Sequence, residues 1–359
     1  MSNEASGQPA LVSVIVRSVG RPTLERALAS ITLQDHPAIE VVIVAANGDA
    51  HPALPERCGP FPIRVVQEHR PLKRAEAADA GMRAATGEFI TFLDDDDEFL
   101  PGHVSGLVQA LGREPGALAV NGRALATFVS GATQIFGQRF ALSELYARNF
   151  VSLSMLLFAR TLLDRGIAFD PKLPMHEDWD IALQIAQHTR FADQPVASYR
   201  WYADIGESGG GGGANVSDAN FALYRDYVYD KWAGVSDPFI ERCEALIKSA
   251  SAAANAGQLG EAQARAEELL SVSQNDPHAL NLLAMLAYRR GNAKEALALQ
   301  MRATEVRPQD ADLHYNLGLV HAGCGEREAA RREFDEALRL VPGHPRALAK
   351  LAALATGAG

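Results

Sequence analysis

Four consecutive carboxylates, Asp94-Asp95-Asp96-Asp97, directly follow the apolar run Phe89-Ile90-Thr91-Phe92-Leu93. A buried strand that ends in several like charges gathers a repulsion that a divalent cation relieves best, with Mg2+ or Mn2+ carrying phosphate oxygens as the natural occupant. The competing reading is a solvated acidic turn that caps the next helix. Its place behind a strand counts against that, because ligands of open α/β sheets bind beyond the carboxyl ends of the strands. A second acidic group, His176-Glu177-Asp178-Trp179-Asp180, opens a segment in which Trp179, Ala182, Leu183 and Ala186 share one helical face. Its carboxylates then sit at the positive end of a helix dipole, where an ionised acid is favoured. An ordinary acidic first turn is the alternative there.

The elements around these clusters read as α/β. The run Leu11 to Val16 is followed by Ser18, Gly20 and Pro22, then by Leu24, Ala27, Leu28 and Ile31 at helical spacing, then by the apolar run Glu40 to Ala45 ending at Asn47-Gly48. That is one βαβ unit and predicts a mainly parallel sheet. A strand at Ile63 to Gln67, an Ala-rich helix from Leu72 to Ala85 and the strand Glu88 to Leu93 repeat the pattern and deliver the aspartates to a strand end. Five glycines, Gly209 to Gly213, read as a mobile loop. Beyond Pro238 the chain is rich in Ala, Leu, Glu and Arg with a period of about 34 residues, seen in Gly257, Gly291 and Gly325, in Ala262, Ala296 and Ala330, and in Pro308 and Pro342. The expected division is a flexible N-terminus at 1–10, an α/β domain at 11–215, a connecting helix and linker at 216–237 and a helical repeat domain at 238–359.

Bulk chemistry narrows the partners. A net charge of -10 and the lack of any basic run argue against nucleic acid, whose affinity comes from clustered Lys and Arg. Cys58, Cys243 and Cys324 lie far apart without metal-ligand spacing, so neither disulfides nor a zinc site are expected. No run of apolar residues is long enough for a membrane span and the N-terminus lacks an apolar leader core, which predicts a cytoplasmic protein without integral membrane segments. Peripheral attachment at the inner face of a membrane stays open.

Val12-Ser13-Val14-Ile15-Val16, the stretch Ala84 to Asp97 and His176-Glu177-Asp178-Trp179-Asp180 occur in the order that resembles family 2 glycosyltransferases, over about residues 10 to 205. The repeats resemble the tetratricopeptide (TPR) type. The first resemblance implies a GT-A fold (Rossmann-like), a nucleoside-diphosphate sugar donor, a Mn2+ or Mg2+ ion held through a DXD motif and inversion at the anomeric carbon. Carried onto this sequence, Asp94 and Asp96 frame the DXD, with Asp96 on the metal and Asp94 shared between metal and donor. Asp95 is placed beside the donor without a role of its own. Asp178 is the expected base, with Glu177 as runner-up. Arg17, Asn47 and Arg74 stand where donor contacts fall, Asn47 in place of the acidic pair that many relatives carry and open to a plain Asn-Gly turn. Trp179, Trp201 and Tyr202 are expected near the acceptor, since aromatic faces suit sugars. The implied partners are a nucleotide-sugar donor (a UDP-sugar ahead of a GDP- or dTDP-sugar), a carbohydrate or protein acceptor, and a protein bound by the repeats. A TPR scaffold with an inactive transferase-like domain is the alternative. A nucleotidyltransferase is disfavoured because Val19-Gly20-Arg21-Pro22 is too short for its glycine-rich loop.

Overall fold

A computed structural model describes residues 9–204 and 218–355, which fall into two compact units: residues 1–138 with 149–231, and residues 139–148 with 232–359. The glycine run 209–213 lies outside the described residues.

The first unit is built on a ten-stranded mixed sheet. Its strands are β1 (Val12–Ser18), β2 (Ile39–Ala45), β3 (Arg57–Cys58), β4 (Phe61–Gln67), β5 (Phe89–Asp94), β6 (Glu98–Phe99), β7 (Ala119–Thr127), β8 (Thr133–Phe136), β9 (Leu156–Ala159) and β10 (Phe191–Tyr202). The order is β3-β4-β2-β1-β5-β9-β7-β10-β6, with β8 against β7. β4, β2, β1 and β5 run parallel as the βαβ pattern requires, and β1 and β2 are buried along their whole length, which is why both read as unbroken apolar runs. Past β5 the sheet changes character: β9 pairs antiparallel with both β5 and β7, and β10 then runs parallel to β7. Helices α1 (Leu24–Thr32), α2 (Arg74–Ala84) and α3 (His103–Arg113) cover it. α2 lies close on the sheet because Gly81 has no side chain: a Cβ there would fall 2.3 Å from Ile15 Cγ2. The core gathers Val14, Val16, Ile31, Ile43, Leu93, Leu107 and Val120.

The second unit is helical. It takes in α4 (Leu142–Ala147) from the excursion at 139–148, while α5 (Glu177–Ala186) belongs to the first unit and α6 (Asp218–Asn255) runs on through the boundary at 231/232. α7 (Leu259–Val272), α8 (Pro277–Arg289), α9 (Ala293–Val306), α10 (Ala311–Gly323), α11 (Arg327–Leu340) and α12 (Pro345–Ala355) follow as antiparallel pairs and a last helix. The 34-residue period has a physical basis at each point. Gly257, Gly291 and Gly325 take φ of 75°, 81° and 79° in the turns, and Ala262, Ala296 and Ala330 are fully buried where helices meet. Among the described residues no helix is long and apolar enough to cross a membrane, and the three cysteines are free.

Candidate active site

β5 and the turn after it place the four aspartates at the carboxyl edge of the parallel strands, and they do not share one fate. Asp94 is the register partner of Arg17 on β1, and the Arg17 guanidinium grips it with Nε at 2.9 Å and Nη2 at 2.6 Å. Arg74, from the first turn of α2, adds a contact at 3.4 Å. Burial works against ionisation of Asp94, but Arg17 and then Arg74 outweigh it and hold its carboxyl below the ordinary range. Asp95 turns away, accepting Ser18 Oγ and the Val19 N–H at 3.0 Å and Arg21 Nη1 at 2.5 Å. It ties the loop after β1 to the loop after β5.

Asp96 and Asp97 complete a triad with Asp94, each offering an oxygen within 4.8 Å of the others. Burial, then the charge of Asp94, raises the Asp96 carboxyl. Burial and the charge of Asp96 push Asp97 up to about 8, against hydrogen bonds from the Tyr199 hydroxyl and the Tyr202 N–H. Three convergent hard oxygens, with Asp94 held ionised and Asp96 and Asp97 raised by burial and by neighbouring charge, form a set suited to Mg2+ or Mn2+.

α5 carries the second acidic group. His176, at its N-cap, takes a left-handed φ of 62°, and its Nε2 lies 3.2 Å from the Phe221 carbonyl. Glu177 is buried in ion pairs with Arg17 Nη1 at 3.1 Å and Arg74 Nε at 3.2 Å. Arg17 thus bridges Asp94 and Glu177. Burial opposes its charge, yet the two carboxylates raise its pKa further above the ordinary arginine value. Asp178 behaves differently: it makes no ion pair among the described residues, and accepts Asn149 Nδ2 at 2.9 Å and its neighbour's N–H at 2.7 Å. Burial and the charge of Glu177 push Asp178 up to about 7.

Both clusters open onto one cavity of about 330 Å³, whose wall includes Arg17, Arg74, Asp94 to Asp97, Glu177, Asp178, Trp201 and Tyr202. Trp179 is not on that wall. It is 1% exposed and packs edge-on against Tyr229 at 5.2 Å, so the apolar stripe of α5, not an acceptor contact, accounts for it. Asn47 is also absent from the wall. It leads the short turn 48–50, in which Gly48 takes φ 62° with its Cα face against the backbone of Arg70. Residues that the motifs do not mark line the cavity too: Arg21, Phe136, Asn149 and Phe221, beside Tyr199 of the aromatic run Tyr199 to Tyr202, which is buried and meets Asp97. They arrive from β8, β10, the start of α6 and irregular segments, where no local periodicity announces a shared wall.

Residues 13–148 match the model of Glycosyl transferase family 2, and residues 311–344 match that of the tetratricopeptide repeat. The uncharacterized glycosyltransferase YwdF of Bacillus subtilis (strain 168) is 24% identical over 216 residues, covering 55% of this chain and 76% of that protein. The succinoglycan biosynthesis protein ExoO of Rhizobium meliloti (strain 1021) is 26% identical over 211 residues, 54% of this chain and 61% of that one. Among solved structures, S. aureus TarS 1-349 in complex with UDP-GlcNAc aligns over 92% of this chain and 91% of its own, at 16% identity and a TM-score of 0.47.

Proposed function

We propose that the family 2 glycosyltransferase domain formed by residues 13–148, completed by α5 and β10, moves a sugar from a nucleoside-diphosphate donor to an acceptor hydroxyl with inversion. The observation that carries this reading is the convergence on one cavity of the Asp94-Asp96-Asp97 triad and of Asp178, a carboxyl poised near neutrality. Asp94, Asp96 and Asp97 would hold Mn2+ or Mg2+, which when bound supplies positive charge to the departing diphosphate. Arg17 keeps Asp94 ionised and aimed, and Arg74 and Arg21 add cationic character to the donor side. Asp178 takes the proton of the acceptor hydroxyl. Glu177, the other acid of the pair, is committed to Arg17 and Arg74 and serves as their counter-charge. Trp201 and Tyr202 offer ring faces to the sugar.

A UDP-sugar is the first donor to test, and the repeats are read as the site of a protein partner. The decisive experiment incubates the full chain with UDP-, GDP- and dTDP-sugars, with Mn2+ or EDTA, and measures nucleotide release and binding. Metal-dependent binding of one donor is expected. Failure of every donor to bind in either condition overturns the transferase reading in favour of a scaffold.

A further inference from the structure

The chain leaves the first unit at Gln138 and re-enters it at Asn149, and the ten residues between belong to the helical unit. They are firmly held there. Glu144 pairs with Arg307 at 2.8 Å and Arg139 with Glu305 at 2.9 Å. The Phe140 carbonyl accepts Asn275 Nδ2 at 3.3 Å, and the Tyr146 and Phe239 rings lie 5.4 Å apart. Ala141 and Leu145 are fully buried.

Wall residues of the cavity flank this excursion: Phe136 lies shortly before it and Asn149 directly follows it. The Asn149 carboxamide is fixed at both ends. Its Nδ2 donates to Asp178, and its Oδ1 accepts the Val151 N–H at 3.0 Å. The side chain that aims Asp178 is therefore one peptide bond from a segment whose position is set by the helical unit.

We propose that Asn149 is a positioning residue for Asp178, and that freeing residues 139–148 from their contacts in the helical unit loosens Asn149 through the peptide bond that joins it to Arg148. The positioning role rests on the proposed function; the mechanical coupling does not. A displacement of about 1 Å at a group that orients a reacting residue can cost on the order of 100-fold in rate.

The test is a double-mutant cycle in the full chain, read by UDP release from UDP-glucose and UDP-N-acetylglucosamine with Mn2+ and by amide hydrogen exchange. Asn149→Ala and Arg307→Ala should each lower kcat about 10-fold or more with donor KM unchanged. Arg307→Lys should recover most of the loss, and Arg339→Ala, which removes an exposed pair with Glu336, should change nothing. The pair Asn149→Ala with Arg307→Ala should lose no more than the worse single variant. Losses that multiply overturn the proposal. Exchange at amides 149–153 should rise in Arg307→Ala and in Glu144→Gln while 89–94 stays protected. Unchanged exchange at 149–153 in both variants overturns the coupling even if no sugar nucleotide is turned over, an outcome that by itself removes only the transferase reading.

Discussion

Arg17 and Asp94 face one another across adjacent parallel strands, and the guanidinium that closes this pair also reaches Glu177, 160 residues further along the chain. One buried cation thus fixes the spacing between the acidic triad on β5 and the acids on α5. Removing it leaves the two carboxylates with Arg74 alone as counter-charge, and taking one partner from a buried ionic group is the costly way to break it. Arg17→Met should destabilise the protein by about 3 kcal/mol or more, read from urea unfolding. Arg17→Lys should recover only part, since a single ammonium cannot grip both acids. Equal stability of Arg17→Met and the parent would show that the pair is solvated in solution.

Asp178 carries opposite signs for activity and stability. Its carboxyl is raised to about 7, so the ionised form that the proposed base role needs is lost as pH falls through 7 and turnover should drop with it. For folding, an acid raised from an ordinary value of about 3.9 favours the native state at low pH, and that contribution disappears as pH climbs towards 7 and beyond. Asp178→Asn should cost about 100- to 10,000-fold in kcat, keep donor affinity, and melt higher than the parent at pH 8 but not at pH 4. Near-normal turnover in Asp178→Asn would remove it as the base.

The triad gives a metal-linked prediction with its own control. With donor present, Mn2+ should raise the melting temperature and EDTA should reverse the effect; saturation at 100 times Kd corresponds to about 2.7 kcal/mol. Asp96→Ala should abolish this response. Without metal the same variant should melt no lower than the parent, because the charge of Asp96 is one cause of the raised Asp97 carboxyl. A drop in the metal-free melting temperature would mark Asp96 as structural.

In the repeats, a Cβ on Gly318 would fall 2.5 Å from the ring of Phe334, which is fully buried. Gly318→Ala should therefore destabilise the helical unit by about 1–3 kcal/mol through overpacking, despite alanine's better helix propensity. Thermal unfolding followed by circular dichroism measures it. A higher melting temperature would mean that the ring moves aside freely.

His314 offers a pH readout confined to the repeats. Burial opposes charging of its imidazole, but its hydrogen bonds with Glu333 and the Pro308 carbonyl prevail and raise its pKa. The stability it lends is full below the ordinary histidine value of about 6.5 and is lost as pH rises through the higher native value. Glu333→Gln should flatten that slope in unfolding experiments between pH 6 and 9.

Local patterning made much of this legible. The βαβ runs from Val12 to Leu93, the strand end at Asp94, the helix start at Glu177 and the 34-residue period are all set by short-range periodicity, and the structure has them within one or two residues. What escaped depends on distant partners. β9 and β10 hold their places through pairing with β5 and β7, far away in sequence. Trp179 looks like a sugar platform until its burial against Tyr229 is known. Asp95 is indistinguishable from its neighbours as a letter, yet it faces Ser18 and Arg21. Asn149 carries no motif, because its meaning comes from Asp178 opposite and from where residues 139–148 are anchored.

That anchoring also has a consequence for how the protein is made. Chains emerge from the ribosome N-terminus first at about 5–20 residues per second, and Glu144 must wait for Arg307, 163 residues later. At those speeds the delay is roughly 8 to 30 s. For that interval the newborn chain has an unanchored segment carrying Leu145 and Tyr146, two side chains that the finished protein buries. Helices translated well after Glu144 therefore supply the anchor for a stretch of chain that was made long before them.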